Sequence, residues 1–70
     1  MNTLSLRGDH LTLAQAVKAA GLATTGGQAK HIIRDGKVLV NGAMEIRPGR
    51  KLAAGDRFNL VGESEWTVSR

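Results

Sequence analysis

The sequence predicts an α+β domain, two short helices packed on a small, mainly antiparallel sheet. Apolar residues first recur with a helical period, at Leu13, Ala16, Val17 and Ala20 and again at Ala29, Ile32 and Ile33. From Val38 onward the period drops to two, and the turn formers Asn41-Gly42, Pro48-Gly49 and Ala54-Gly55-Asp56 cut the remainder into strand-sized pieces. A chain of 70 residues has room for one hydrophobic core, so residues 1–70 read as a single domain.

Near the start, Leu4 and Leu6 alternate with polar residues as in a strand. The first helix opens at Thr12, with Gln15 three residues on, a capping-box pair that satisfies two otherwise orphaned backbone donors. Gly21 stops it by supplying a left-handed residue. The grammar repeats with Thr25 and Gln28 as a second capping box, the stripe Ala29, Ile32 and Ile33, and Gly36 as the stop. Lys30 and Arg34, four residues apart, fall on the opposite face with His31 beside them. Gly26 and Gly27 open this helix although glycine is a poor helix former; a phosphate approaching the bare N-terminus and a tight interhelical loop both account for them.

Val38 and Val40 share one face of a short strand, and Asn41-Gly42 reads as a type I′ turn, because both central residues of that turn need positive φ. The returning strand is expected over Ala43–Arg47. After the Pro48-Gly49 turn, Leu52 re-enters the core, and Phe58 and Leu60 alternate with Arg57 and Asn59 in another strand. Trp66-Thr67-Val68 reads as an edge strand, and the two chain ends are expected to pair. Phe58 and Trp66 are assigned to packing.

The net charge of +4 and the pI near 10.4 favour a polyanionic partner. All of the excess lies between residues 30 and 57, where Lys30, Arg34, Lys37, Arg47, Arg50, Lys51 and Arg57 face Asp35, Glu45 and Asp56. The flanks sum to zero. With no cysteine and only two histidines, thiolate zinc sites, disulfide scaffolds and thiol nucleophiles are excluded, and neither metal nor cofactor is expected. No apolar run approaches the roughly 18 to 20 residues of a membrane span, and the secretory-signal layout is missing. A soluble, cytoplasmic monomer with no membrane partner is expected. Aromatics make up 3% of residues, too few for the stacking platforms of single-strand binders. His31 with Asp35, and His10 with Asp9, are the best acid–base pairs available, and neither has a nucleophile motif around it, so an enzyme is not expected.

The run Gln28-Ala29-Lys30, Ile32-Ile33, Asp35-Gly36-Lys37-Val38-Leu39-Val40-Asn41-Gly42, followed by a basic turn and Ala54-Gly55-Asp56, resembles the RNA-binding domain named after ribosomal small-subunit protein S4. The likeness spans residues 11–60. With little chain on either side, the sequence is similar to the small stand-alone bacterial members, the YbcJ-like proteins. The resemblance implies the αL motif, in which the second helix and the following hairpin hold structured RNA, usually ribosomal or transfer RNA. Carried over position by position, that surface comprises Thr25, Gln28, Lys30, Arg34, Lys37, Asn41, Arg47, Arg50 and Lys51. The chain departs from the family at Thr25-Gly26, where many members have Ser-Arg, and at Leu11-Thr12-Leu13-Ala14, where members attached to pseudouridine synthases have Arg-Leu-Asp. The expected function is therefore a noncatalytic module for structured RNA. The alternative is an adaptor that docks on a ribosome-associated or RNA-processing protein through the same basic face. Helix-turn-helix DNA binding fits less well, since the second helix is short, begins with two glycines and runs straight into a hairpin.

Overall fold

The computed structural model describes residues 2–70; Met1 lies outside the described residues. Strands β1 (Asn2–Ser5) and β2 (Leu11–Thr12) lead into helices α1 (Leu13–Ala19) and α2 (Gly26–Arg34). Strands β3 (Val38–Val40), β4 (Ala43–Met44), β5 (Lys51–Leu52), β6 (Arg57–Leu60) and β7 (Trp66–Ser69) follow. The main sheet has the order β1-β7-β6-β3-β4, and β2 pairs with β5 in a small second sheet. Every pair is antiparallel except β1 with β7.

Period-two patterning puts Val38 and Val40, Phe58 and Leu60, and Trp66 and Val68 on the same face of neighbouring strands, in the registers Val40↔Phe58 and Phe58↔Trp66. That face, with Leu6 and Leu52, joins Leu13, Ala14, Ala16 and Val17 of α1 and Ala29 and Ile33 of α2 in one buried cluster. Ala16 and Ala29 are fully buried, in keeping with the small side chains that close helix packing needs. Trp66, half-buried, stacks on Phe58 with ring centroids 6.4 Å apart.

The α1 capping box forms as expected: Gln15 N–H donates to Thr12 Oγ1 at 3.2 Å, and Thr12 N–H donates to Gln15 Oε1 at 2.9 Å. The second box closes differently. Thr25 Oγ1 accepts from Gln28 N–H at 3.0 Å, but Gln28 Oε1 reaches one residue further back and accepts from Thr24 N–H and the Thr24 hydroxyl. Two donors on one residue hold the Gln28 amide away from the cap position.

Two strand expectations are corrected. The strand returning from the hairpin covers Ala43–Met44, shorter than Ala43–Arg47. Glu45 N–H still donates to Val38 O, but Arg47 N–H turns to the Glu45 carboxylate and Pro48 has no N–H to continue a ladder. Trp66–Ser69 is an interior strand, because the N-terminal strand lies beside it in the register Leu4↔Val68 and takes the edge. The pairing of the two chain ends is thus confirmed, and it is what buries β7 within the sheet.

Candidate nucleic-acid interface

The nine residues expected at the interface fall into two groups. Thr25, Gln28, Lys30 and Arg34 belong to α2 and its cap, and Asn41, Arg47, Arg50 and Lys51 belong to the hairpin turn and the loop beyond it. Lys37 stands at the junction. The hairpin folds back on the end of α2: a Cβ at Gly36, which has φ +78°, would lie 3.1 Å from Met44 Sδ. Positive φ and a side chain lying overhead explain why glycine ends this helix.

Lys30, Arg34, Lys37 and Lys51 are exposed, and among the described residues none of them forms an ion pair. Their charges are free for an external anion. Lys37 also rims a cleft of about 300 Å³ lined by Ile32, Leu60, Val61 and Glu63. His31 Nε2 sits 3.4 Å from Asp35 Oδ2, one helical turn on, with both groups exposed, which is an ordinary surface pair. Gly26 and Gly27 face open space, with only Thr25 Oγ1 at the edge of contact, so close packing between the helices is not what requires them.

The loop group is organised by carboxylates that a survey of cations passes over. Glu45 Oε2 accepts from Arg47 Nε at 3.0 Å and from Arg47 N–H at 3.1 Å, and Oε1 accepts from Arg47 Nη2 at 3.3 Å. Arg50 Nε lies 3.0 Å from the same Oε1. The hydrogen bond from Arg47 holds the Glu45 carboxyl below its ordinary value, and the same bond raises the Arg47 guanidinium. The loop itself is pinned to the start of α1. Leu13 N–H donates to Arg50 O at 2.7 Å and Ala14 N–H to Pro48 O at 3.0 Å, so two orphan donors of the helix are satisfied by the basic loop.

Asn41 has φ +51° and Gly42 +85°, as the I′ turn demands. The Asn41 side chain is also engaged inside the protein: Nδ2 donates to Asp56 Oδ1 at 3.2 Å, and Oδ1 accepts from Arg57 N–H at 2.9 Å. Asp56 Oδ2 accepts from Ala53 N–H at 2.8 Å. That backbone bond, then the Asn41 amide and the nearby Arg50 charge, keep the Asp56 carboxyl below its ordinary value. Arg57, across from Asn41, spends its charge on Glu65 at 3.6 Å. Glu45, Asp56 and Arg57 were not anticipated at this surface. The Glu45–Arg47 spacing of two was the one local signal for the first of them, and the other two arrive through strand pairing.

A small α+β domain with a capped helix leading into an Asn-Gly hairpin and a pinned basic loop has the architecture of the αL motif. The S4 domain family model matches residues 4–68, and the chain belongs to that family. The chain is 36% identical over 67 residues to the probable ribosome maturation protein RlbA of Bacillus subtilis (strain 168), covering 96% of this chain and 94% of RlbA. It is 37% identical over 70 residues to YbcJ of Escherichia coli (strain K12), covering 99% of this chain and 100% of YbcJ. The solution structure of Escherichia coli YbcJ, described as revealing an αL motif involved in RNA-binding, superposes with a TM-score of 0.74 at 34% identity, over 100% of this chain and 89% of that one. No helix among the described residues is long and apolar enough to cross a membrane.

Proposed function

We propose that this protein is a noncatalytic module that binds structured RNA through the exposed face of α2 and the following hairpin and loop. The observation that carries this reading is the set of unpaired cations, Lys30, Arg34, Lys37 and Lys51, displayed on an αL framework. Phosphate neutralisation supplies the affinity. A-form RNA is read mainly by backbone shape and 2′-hydroxyls, since its deep major groove excludes side chains. Single-strand stacking is disfavoured because Phe58 is fully buried and Trp66 stacks on it. RlbA's name as a ribosome maturation protein favours ribosomal over transfer RNA as the target. Its αL relative YbcJ supports RNA as the partner class.

Competition binding tests this. Purified ribosomal RNA should outcompete duplex DNA of equal length. If about five phosphates are engaged, affinity should fall roughly 100- to 500-fold between 50 and 200 mM salt. Equal competition by duplex DNA would overturn the preference for structured RNA, and only weak, fully screened binding to both would overturn the reading in favour of a protein adaptor.

A further inference from the structure

We propose that Glu45 is a positioning residue of the RNA-binding surface, its carboxylate tying Arg47 and Arg50 into one fixed pair that receives a backbone phosphate. The proposal rests on the hairpin loop being part of the RNA site. It adds to that site an acid that charge counting would place against it.

The carboxylate grips Nε and Nη2 of Arg47 and lies against Nε of Arg50, which leaves Arg47 Nη1 and both Nη groups of Arg50 outside its hold. Arg50 Nη1 is buried without a hydrogen-bond partner among the described residues and is closed to an external phosphate, so Nη2 of the 31% exposed side chain is the Arg50 group left to receive one. Without an acid between them, two neighbouring guanidinium groups repel and spread over many rotamers. With it they are held as a pair, and the cluster keeps a net charge of +1 from two arginines and one glutamate. Orientation matters because arginine forks bind phosphate through paired donors in a set plane.

Glu45 is frame rather than a rival that phosphate displaces. Its side chain is only 13% exposed, against 75% for Arg47. Its own N–H is tied to Val38 O, its Oε2 also holds Arg47 N–H, and the loop carrying both arginines is bonded to the start of α1.

The test turns on sign. Glu45→Gln keeps the shape and raises the net charge from +4 to +5, so electrostatics alone predicts tighter RNA binding. Positioning predicts the reverse, a loss of about tenfold, by analogy with the lower end of what losing an outer-shell partner costs a metal site. Binding to purified ribosomal RNA is measured for wild type, E45Q, Arg47→Ala/Arg50→Ala, and the triple variant, each checked for folding by thermal melting. A loss in E45Q that disappears in the arginine-free background supports the proposal. Unchanged or tighter binding by E45Q overturns it, and so does an equal loss in both backgrounds, which would mark a fold defect. Should E45Q not fold, Glu45→Asp keeps the charge but draws the carboxylate back by one methylene, and the same loss is expected; unchanged binding by E45D then overturns the proposal. If wild type binds and the double arginine variant binds equally well, the RNA reading stands and this proposal falls. If wild type does not bind, the RNA reading itself fails and this one with it.

Discussion

Asn41 and Asp56, 15 residues apart in the chain, meet through a side-chain hydrogen bond of 3.2 Å. With the bond from Arg57 N–H to Asn41 Oδ1, this closes the tip of the hairpin onto the start of β6. Asn41 therefore does two structural jobs, adopting positive φ and clamping the neighbouring strand. Two substitutions separate them. Asn41→Gly keeps the backbone freedom and loses the clamp, and should cost about 1 kcal/mol, a typical net value for lost hydrogen bonds. Asn41→Ala loses both and should cost about 1–2 kcal/mol more, the penalty of a left-handed alanine. Denaturant melts of the pair check this, and equal stability would show that the clamp alone matters.

The same network has an acid signature. The Asp56 carboxyl lies below its ordinary value of 3.8 in the folded chain, chiefly through the bond from Ala53 N–H. A depressed carboxylate stabilises the fold fully above its unfolded value and loses that contribution as pH falls through the folded one. Stability measured by urea melts should thus hold from neutrality down to the ordinary carboxylate range and decline below it. Asp56→Asn should be less stable at neutral pH and should show a shallower acid decline. An unaltered acid limb in that variant would remove Asp56 as a cause.

On α2, Lys30 and Arg34 have no acid partner among the described residues, so Lys30→Ala with Arg34→Ala should leave the melting temperature nearly unchanged. RNA binding should weaken, and the salt slope should flatten by about two contacts, roughly 1.4 to 1.8 in log–log terms. An unchanged slope would take the helix face out of the site.

Gly27 faces open space and sits in α2 without positive φ, so Gly27→Ala should stabilise the domain by about 0.4–1 kcal/mol through the unfolded chain. A thermal melt checks the direction. A fall in stability would mean that the first turn of α2 has a packing demand that its surroundings do not display.

Ile33 is fully buried between the helices and the sheet, and Ile33→Ala should cost about 2–5 kcal/mol, enough to unfold a domain this small. Far-UV circular dichroism reads it, and a folded variant would show that the core can collapse around the lost side chain.

Much of the fold was legible because its signals are local. The Thr12–Gln15 box, the stripe through Val17, the Asn41-Gly42 turn and the alternation at Phe58 and Leu60 each lie within a few residues, where capping geometry, helical period and turn dihedrals act. The exposure of the cations in the proposed surface was legible for the same reason, since residue type and helix face follow from spacing. The α2 cap was misread in detail because Thr24 and Thr25 compete for one glutamine, and spacing does not say which donor wins.

The two helices, the turns and the location of the positive charge were thus determined by the sequence itself, whereas the short β2–β5 pair was not among the expected strands. Only the tertiary structure decided that β7 is interior, that β4 stops at Met44, that the 47–50 loop caps α1, and which arginines are free and which are held by Glu45 and Glu65. The division has a physical cause. Local preferences act over a helical turn or a hairpin, whereas strand neighbours and shared carboxylates join residues whose closeness exists only once loop closure and burial of the common core have brought them together.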